Sequence, residues 1–490
     1  MRLLNRDLNS FLSIATKAGE KFQEWADEQE IVRITSHYDA DGIAAAGIIG
    51  LILLRLGVSF HIRIVKQANP QIIKELADEN RSCYVFSDLG CAQLNSIKRH
   101  LSESSVIILD HHEMRNADDF PGLIHVNPHL YGINGSQEVS GAGVSYLVAR
   151  SISKENRDLA HLAVIGAVGD VQDKAEHRGF SGINGDIIVK DGVEAGVLKV
   201  EKDLSIFGRE TRPIHVALQY TTDPFIPGLT GSGERCFMFL SKAGIKLKEN
   251  DHWRTLSDLS QDEKIQLNSA LIQYMLQQGI DSDKAQSIVG NVYTLIGEEK
   301  GTPLRDAREF ASLLNACGRI GHPGVGVAIC LGDRVNALEE AQQLLAEYRQ
   351  KISKYIEWLT QPGRIKETEF LQVFHGENVV DERIIGTVAS VALYAQILKS
   401  DKVIVSFAYS DPEGVKVSLR AGVELIERGV NLGLALSQVI DEIELKEATA
   451  GGHDAAAGAL IPAGSEEKLV FHLEKIIREQ MGDKKRKKSK

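Results

Sequence analysis

Residues 31–57 read IVRITSHYDADGIAAAGIIGLILLRLG, a short β-branched run followed by a polar turn and a long apolar stretch. The first five residues, IVRIT, predict a compact strand. The stretch from Ile43 to Gly57 is interrupted by Arg55 and is short for a membrane span, so it predicts a buried helix. Gly42 lets the backbone turn tightly between the two elements. A strand that leads directly into a buried helix indicates the start of an α/β domain.

Three further strand patterns follow at residues 60–65, 83–88 and 105–110, each largely apolar along its length. Runs of this kind are typical of strands that are covered on both faces. Helices are predicted at 141–153 and 157–170. The alternation predicts a parallel, doubly wound sheet that occupies residues 1–190.

The rest of the chain predicts two more domains. Residues 191–365 form an inserted middle domain that is rich in Pro and Gly clusters, and the helical period at 336–358 predicts a connecting helix. A smaller C-terminal α/β domain occupies residues 366–482, and residues 483–490 form a basic tail that we expect to be disordered. The fold class is therefore α/β with three domains.

The net charge, the cysteines and the N-terminal segment each limit the class of protein that the sequence predicts. The formal net charge is −11 although the final seven residues are almost all basic, so any phosphate-binding surface must be local and some acidic residues should hold metal. The five cysteines are scattered without a C-x-x-C pair, which fits reduced thiols. The N-terminus lacks the apolar core of a signal peptide. We expect a cytoplasmic protein with no membrane contact.

Four short segments carry the candidate chemistry: residues 36–42, 86–90, 109–112 and 166–170. The first three end predicted strands, and the carboxyl ends of parallel strands share one sheet edge, where ligands bind. A single strand-end Asp is more often a helix cap, and a single His is usually structural. Six acidic or imidazole groups at equivalent positions of one sheet instead predict a site that binds metal.

Carboxylate oxygens are the ligands that Mg²⁺ and Mn²⁺ prefer, and imidazole shifts the preference toward Mn²⁺. Two ions about 3.5–4 Å apart need a bridging carboxylate and can together activate water and stabilise charge on a phosphoryl oxygen. The sequence therefore predicts two Mn²⁺ ions per active site, with Mg²⁺ as the alternative.

The order H-x-D-x-D-G, strand-end Asp, D-H-H and G-x-x-x-D resembles the four motifs of the DHH phosphoesterase superfamily. This resemblance implies that His37, Asp39 and Asp88 bind one metal. It implies that Asp88 bridges to a second metal, whose other ligands are Asp41, His111 and Asp170. It also implies two catalytic residues: Asp110 orients its neighbour, and His112 contacts the scissile phosphate and protonates the leaving oxygen.

A second signature lies near the C-terminus, where residues 450–458 read AGGHDAAAG and residues 417–420 read VSLR. Paired glycines allow close backbone approach to a phosphate, and Arg420 can form a two-pronged contact with one. We expect a helix of small residues to start after His453, although a plain turn is an equally common reading. Together with residues 385–390, these segments resemble the DHHA1 domain, which implies substrate binding by Arg420, Gly451, Gly452 and His453.

The resemblance to DHHA1 separates the chain from family II inorganic pyrophosphatases. The long middle segment, with residues 306–310 and 315–319, resembles archaeal RecJ homologues, among them the GINS-associated nuclease. This implies a single-strand-specific exonuclease that acts on DNA or RNA, with GINS and the replicative helicase as candidate partners. Two alternatives stay open: a replisome accessory protein with secondary nuclease activity, and a short-oligonucleotide or cyclic-dinucleotide phosphodiesterase. Arg319 and His322 either touch substrate or belong to a loop.

Overall fold

The computed structural model describes residues 7–114, 119–221, 223–410, 414–445 and 449–487. The chain divides into two compact units, residues 1–345 and 346–490. Among the described residues no helix is both long enough and apolar enough to cross a bilayer. All five cysteines are buried and free.

The first unit is built on a five-stranded sheet whose neighbouring strands are all parallel. The strand order is β2-β1-β3-β4-β5. This confirms the predicted parallel sheet and adds a fifth strand that the sequence analysis missed. The strands are β1 (Ile31–His37), β2 (Ser59–Val65), β3 (Cys83–Ser87), β4 (Ser105–Leu109) and β5 (Leu123–Val126).

Helices cover both faces of this sheet, so it is doubly wound as predicted. They are α1 (Leu8–Asp27), α2 (Ala40–Leu56), α3 (Pro70–Asp78), α4 (Leu94–Leu101), α5 (Gly141–Ile152) and α6 (Ala160–Gly169). Helices α3 and α4 pack on the face that carries Tyr84 and Phe86. Helices α2, α5 and α6 pack on one another, and α2 and α5 also contact the sheet.

Helix α2 is the predicted buried helix, and 13 of its 17 residues are buried. Its start is fixed by Asp39, whose side chain accepts a hydrogen bond from the Gly42 amide. Its end is fixed by Gly57, which adopts a left-handed conformation with φ of 73°. The helix therefore begins within the polar turn that carries the candidate ligands.

The middle segment has a hydrophobic core of its own, formed between Leu204 and Ile288. Its elements are α7 (Lys190–Glu194), β6 (Leu198–Leu204), α8 (Ile214–Gln219), α9 (Gly233–Lys242), β7 (Lys248–Glu249), β8 (His252–Trp253), α10 (Gln261–Gln277), α11 (Ser282–Gln286) and β9 (Val289–Leu295). Strands β6 and β9 pair in antiparallel fashion.

Two helices beyond this core, α12 (Ala307–Ile320) and α13 (Pro323–Cys330), return to the N-terminal sheet domain. Both pack against α2, and α12 also packs against α6. They therefore lie with the N-terminal domain, although the sequence analysis assigns them to the middle segment 191–365. The predicted connecting helix is present as α14 (Asn336–Leu359), and the boundary between the two units falls within it.

The second unit contains a mixed six-stranded sheet in the order β10-β11-β12-β13-β15-β14. Its strands are β10 (Lys366–Glu367), β11 (Leu371–His375), β12 (Val403–Ser410), β13 (Gly414–Arg420), β14 (Thr449–Gly452) and β15 (Ala456–Pro462). Its helices are α15 (Ile385–Tyr394), α16 (Val423–Glu427), α17 (Leu432–Glu442) and α18 (Glu466–Lys487). Helix α18 extends into the predicted tail 483–490, of which residues 488–490 lie outside the described residues.

The segment AGGHDAAAG does not start a helix, and that prediction is wrong. Residues Gly451 and Gly452 end β14, and the chain turns back into β15 at Ala456. The His453 amide donates to the Ala456 carbonyl at 2.8 Å, which closes the hairpin. Gly452 has no room for a side chain, because a Cβ there would lie 2.4 Å from the Ala457 Cα atom. Helix α17 also approaches closely, since a Cβ at Gly433 would lie 2.6 Å from the Gly452 carbonyl oxygen.

Candidate metal centre

The ends of three neighbouring strands bring the candidate ligands to one edge of the sheet. Ser36 of β1 is opposite Ser87 of β3, and Ser87 is opposite Leu109 of β4. The residues that follow these three positions are His37 after Ser36, Asp88 after Ser87 and Asp110 after Leu109, so they lie side by side. The Ser87 hydroxyl donates to the Ser36 hydroxyl at 2.8 Å, so the two strand ends that carry His37 and Asp88 are also tied by their side chains.

The first ligand group consists of His37, Asp39 and Asp88, with their ligand atoms within 4.8 Å of one another. His37 Nδ1 lies 2.9 Å from Asp39 Oδ2 and 3.5 Å from Asp88 Oδ2. The three residues are those that the resemblance assigns to one metal.

The second ligand group consists of Asp41, His111 and Asp170, also within 4.8 Å. His111 Nε2 lies 3.7 Å from Asp41 Oδ2 and 3.3 Å from Asp170 Oδ2. The same nitrogen lies 3.2 Å from Asp88 Oδ1. Asp88 therefore presents one oxygen to each group, which is the geometry that a bridging carboxylate requires.

Asp88 adopts a left-handed backbone conformation with φ of 57°, which is unusual for a residue other than glycine. Its amide donates to the Leu109 carbonyl at 2.8 Å, and this bond fixes the turn after β3. Gly141, at the start of α5, leaves room for the carboxylate because a Cβ there would lie 2.7 Å from Asp88 Oδ1. A strained turn and a glycine thus hold Asp88 in place.

Asp41 is held by the backbone of α5. Its two carboxylate oxygens accept hydrogen bonds from the amides of Gly141 at 2.6 Å and Ala142 at 3.0 Å. A Cβ at Gly166 would lie 2.2 Å from Asp41 Oδ1, so the glycine of the fourth motif is required for space. The negative carboxylate also suits the positive N-terminal end of α5.

Two atoms at the centre of this cluster are buried without a hydrogen-bond partner: Asp88 Oδ1 and His111 Nε2. Buried polar atoms are almost always satisfied in native proteins. The other ring nitrogen, His111 Nδ1, donates to the Gly135 carbonyl at 2.7 Å, so Nε2 is the nitrogen that faces the carboxylates and is placed to bind a cation. The donor set fits two divalent cations, one held by each group.

The pKa shifts within the cluster are those expected of a site that binds cations. Burial and the charge of Asp88 raise the pKa of Asp41 to about 7. Burial and the charge of Asp41 raise the pKa of Asp170 well above its ordinary value. Burial by itself would lower the pKa of both imidazoles, but neighbouring carboxylates hold the pKa of His37 and His111 well above the usual value. The protein in isolation therefore retains protons where cations would bind.

Asp110 is a member of neither ligand group and instead supports His111 and His112. Its carboxylate accepts hydrogen bonds from His112 Nδ1 at 2.8 Å and from the amides of His111 and Cys91 at 2.8 and 3.0 Å. Burial would raise the pKa of Asp110, but the charge and hydrogen bond of His112 outweigh it and lower that pKa. The His112 side chain is 44% exposed, so it can meet a ligand from solvent.

Several supporting residues escaped the sequence analysis. Gln172 donates to the Gly135 carbonyl at 3.0 Å, and Asn127 donates to the His112 carbonyl at 3.0 Å. Asn315, on α12, accepts a hydrogen bond from the Ala40 amide at 3.1 Å. The only sequence signal for Asn315 was its place in the segment 315–319. Arg319, in that same segment, helps to lower the pKa of Asp39: burial would raise that pKa, and the nearer His37 is the main opposing cause.

The predicted substrate residues lie together in the second unit. Arg420 ends β13 opposite Ala456, one residue along β15 from the partner of Gly452. Its guanidinium donates to the Ser390 hydroxyl at 2.8 Å, and a Cβ at Gly386 would lie 2.6 Å from it. The remaining predicted residues, Gly451 and His453, are exposed in the adjoining hairpin.

Three family models match the chain. The model of the DHH family N-terminal domain matches residues 31–167, that of the DHH-CID domain matches 206–289, and that of the DHHA1 domain matches 370–479. The chain is 30% identical to an uncharacterized protein of Methanocaldococcus jannaschii, over 92% of this chain and 94% of that protein. It is 26% identical to the single-stranded-DNA-specific exonuclease RecJ of Bacillus subtilis, over 32% of this chain and 21% of that protein.

Two solved structures share the fold. RecJ from Thermus thermophilus in complex with Mn²⁺ matches with a TM-score of 0.58 and 17% identity, and the match covers 97% of this chain and 55% of that chain. CDC45 from Entamoeba histolytica matches with a TM-score of 0.61 and 11% identity, and the match covers 95% of this chain and 99% of that chain. The chain thus spans about half the length of the RecJ structure and nearly all of the CDC45 structure.

The variant Asp88→Asn tests the bridging assignment. Asn keeps the size of the side chain and tolerates the left-handed backbone, but it removes the charge that both groups share. We expect Mn²⁺ affinity to fall by at least about 100-fold, since loss of supporting partners alone costs about 10–100-fold in metal sites. Calorimetric titration measures this, and Asp158→Asn, which removes a carboxylate paired with Arg55, is the control. Wild-type Mn²⁺ binding by a folded Asp88→Asn protein would contradict the assignment.

The raised pKa values predict a pH dependence of metal binding. Below a pH of about 7 Asp41 carries a proton, and His37 and His111 are charged, so these protons must leave before cations bind. Apparent Mn²⁺ affinity should therefore rise between pH 6 and pH 8, with net proton release. Calorimetry in buffers of different ionisation enthalpy measures both quantities. Affinity that is constant over this range, without proton release, would show that the ligands are already deprotonated.

Proposed function

The chain belongs to the DHH/DHHA1 phosphoesterase family, and we propose that it is a RecJ-like exonuclease that hydrolyses the phosphodiester bonds of single-stranded DNA or RNA. The observation that carries the proposal is the pair of adjacent ligand groups, to each of which Asp88 presents one oxygen, with unsatisfied atoms at their centre. A purely structural cluster would not need to leave both His111 Nε2 and Asp88 Oδ1 unpaired in a buried site.

Two divalent cations at this centre would supply activated water and stabilise charge on the phosphoryl oxygens. His37, Asp39 and Asp88 would hold one cation, and Asp41, Asp88, His111 and Asp170 the other. The two imidazoles favour Mn²⁺, although Mg²⁺ suits the carboxylates. RecJ of Thermus thermophilus has been solved in complex with Mn²⁺ and also in complex with Mg²⁺.

His112 is the residue of the chain that we assign to proton transfer. Asp110 accepts the Nδ1 proton of His112, and this fixes the ring orientation and leaves Nε2 for a ligand. An imidazole oriented in this way can contact a phosphate and donate a proton to the leaving oxygen. The amide of His112 is also held by Asp110, which limits movement of the whole residue.

The second unit would bind the nucleic-acid backbone. Arg420 offers a planar cation beside an exposed, glycine-rich hairpin, and both features suit phosphate oxygens. In the first unit, Arg319 lies near enough to the metal centre for its positive charge to lower the pKa of Asp39. The same charge would attract a phosphate that is bound at this centre. Contacts of this kind to phosphate position a strand without reading its sequence.

The middle segment favours a polymer over a dinucleotide. Its helices and strands between residues 190 and 295 have their own core, in addition to the metal centre and the substrate residues that cleavage of a dinucleotide would use. A domain of this size provides a longer path for a nucleic-acid strand, a surface for a protein partner, or both. The likeness to CDC45 keeps a second candidate function in view, an accessory protein of the replication machinery that binds GINS. The ligand set of the metal centre favours the enzyme.

Substrate class separates these candidates. We expect kcat/KM with Mn²⁺ to be highest on a 20-nucleotide single strand, lower on its blunt duplex and lower still on a dinucleotide. Binding should weaken with salt, with a slope of about −0.7 per phosphate neutralised. Steady-state kinetics on the three labelled substrates provide the comparison. A higher value on the dinucleotide would favour the small phosphodiesterases, and slow cleavage independent of length would favour the accessory protein.

The variants Arg420→Ala and His453→Ala test the separation of binding from chemistry. Each removes a contact to substrate but leaves the metal ligands intact. Loss of a charge-assisted hydrogen bond costs about 1.5–3 kcal/mol, so KM should rise or kcat fall by roughly 10–150-fold. Mn²⁺ binding, measured by calorimetry, should stay at the wild-type value. Variants that lose Mn²⁺ and keep wild-type kinetics per metal-loaded site would contradict this assignment.

A further inference from the structure

We propose that Gln172 is a positioning residue for His111 and acts through the carbonyl group of Gly135. The inference rests on the metal centre of the proposed function and adds a residue that neither the motifs nor the ligand groups include. Gln172 lies two residues after Asp170 and is 3% exposed.

The central observation is that one carbonyl oxygen accepts two side-chain hydrogen bonds. His111 Nδ1 donates to the Gly135 oxygen at 2.7 Å, and Gln172 Nε2 donates to the same oxygen at 3.0 Å. A carbonyl oxygen has two lone pairs, so both bonds can form together. Gln172 therefore restrains the peptide group on which the orientation of the His111 ring depends.

Asn184 fixes which way the Gln172 amide faces. The Asn184 Nδ2 group donates to Gln172 Oε1 at 2.7 Å, so the Gln172 amino group must be the one that faces Gly135. Asn184 is 1% exposed. Asn184, Gln172, Gly135 and His111 thus form one buried chain of hydrogen bonds that ends at the unsatisfied His111 Nε2 atom.

The turn after α6 places Gln172 and Asp170 on opposite sides of the same imidazole. The turn depends on Val171, which is left-handed with φ of 55°, and the Gln172 amide closes it with a 2.9 Å hydrogen bond to the Ala167 carbonyl. Asp170 Oδ2 lies 3.3 Å from His111 Nε2, whereas Gln172 reaches Nδ1 through Gly135. One turn therefore positions both the candidate ligand Asp170 and Gln172, the residue that supports the ligand His111.

The physical consequence concerns metal affinity. A ligating imidazole needs its second nitrogen held as a donor, because this fixes the tautomer and the ring plane and strengthens the ligand. Without Gln172, the Gly135 oxygen keeps only the His111 bond, and the same peptide group is otherwise held by the Ser136 amide, which donates to Asn134 Oδ1 at 2.9 Å. The oxygen and the His111 ring that it orients should then be held less firmly. The second cation should then bind more weakly, while the group of His37, Asp39 and Asp88 keeps its geometry.

The test is calorimetric Mn²⁺ binding to the full chain with Gln172→Met, which preserves length and apolar bulk but donates no hydrogen bond. The control is Gln372→Met, the same substitution at a residue that is 2% exposed and bonds to Glu367 and the Lys399 amide in the second unit. We expect Gln172→Met to lower the affinity of one of two Mn²⁺ ions by about tenfold. Gln372→Met should bind both ions like the wild type.

A double-mutant cycle with His111→Ala separates positioning from general destabilisation. If Gln172 acts through His111, Gln172→Met should cause no further loss of Mn²⁺ affinity in the His111→Ala background. Asn184→Ala provides a second test if Gln172→Met fails to fold, and it should weaken the same ion by about threefold. Wild-type affinity in the folded Gln172→Met protein, or in Asn184→Ala in its place, would overturn the inference. Absence of Mn²⁺ binding by the wild-type protein would overturn the metal centre itself, and this inference with it.

Discussion

Mutual repulsion among the carboxylates of Asp41, Asp88 and Asp170 is the constraint on which the first unit depends. These groups meet His111 within 3.2 to 3.7 Å, and two of the three are almost inaccessible to water. A buried carboxylate without a partner costs far more than a hydrogen bond returns, so isolated burial would favour protonation. The raised pKa of Asp41 and Asp170 expresses this cost. Divalent cations relieve the repulsion without protons, which couples metal binding to the stability of this edge of the sheet.

The fold meets this constraint with backbone features rather than with additional positive side chains. The start of α5 supplies two amides to Asp41, and Gly141 and Gly166 leave the space that the carboxylates occupy. Helix α12 contributes from more than 250 residues away in sequence, since Asn315 holds the Ala40 amide at the beginning of α2. The middle segment is therefore inserted between two parts of one sheet domain. A change in the position of α12 would act directly on the loop that carries Asp39 and Asp41.

Much of this arrangement could be predicted from sequence because it depends on local patterns. The strand at 31–35, the helix at 43–57 and the polar residues at three strand ends follow from hydrophobic runs and their boundaries. Gln172 and Asn315 could not be found in this way, because their roles arise from contacts with backbone atoms of distant segments. The hairpin at Gly451–Gly452 was mistaken for a helix start because small residues suit both, and only pairing with β13 and β14 decides between them. The four-residue strand β5 is too short to give a clear pattern.

Digestion of end-labelled single-stranded oligonucleotides, as DNA and as RNA and with the label at either end, tests the central claim most directly. With Mn²⁺ the protein should release mononucleotides in steps from one end, spare a circular single strand and lose all activity in EDTA. A circular strand matters because it offers the same phosphodiester bonds without an end. Full activity in EDTA would contradict a metal-dependent mechanism. Failure of the Mn²⁺-loaded protein to cleave any of these linear strands would contradict the assignment as a nuclease.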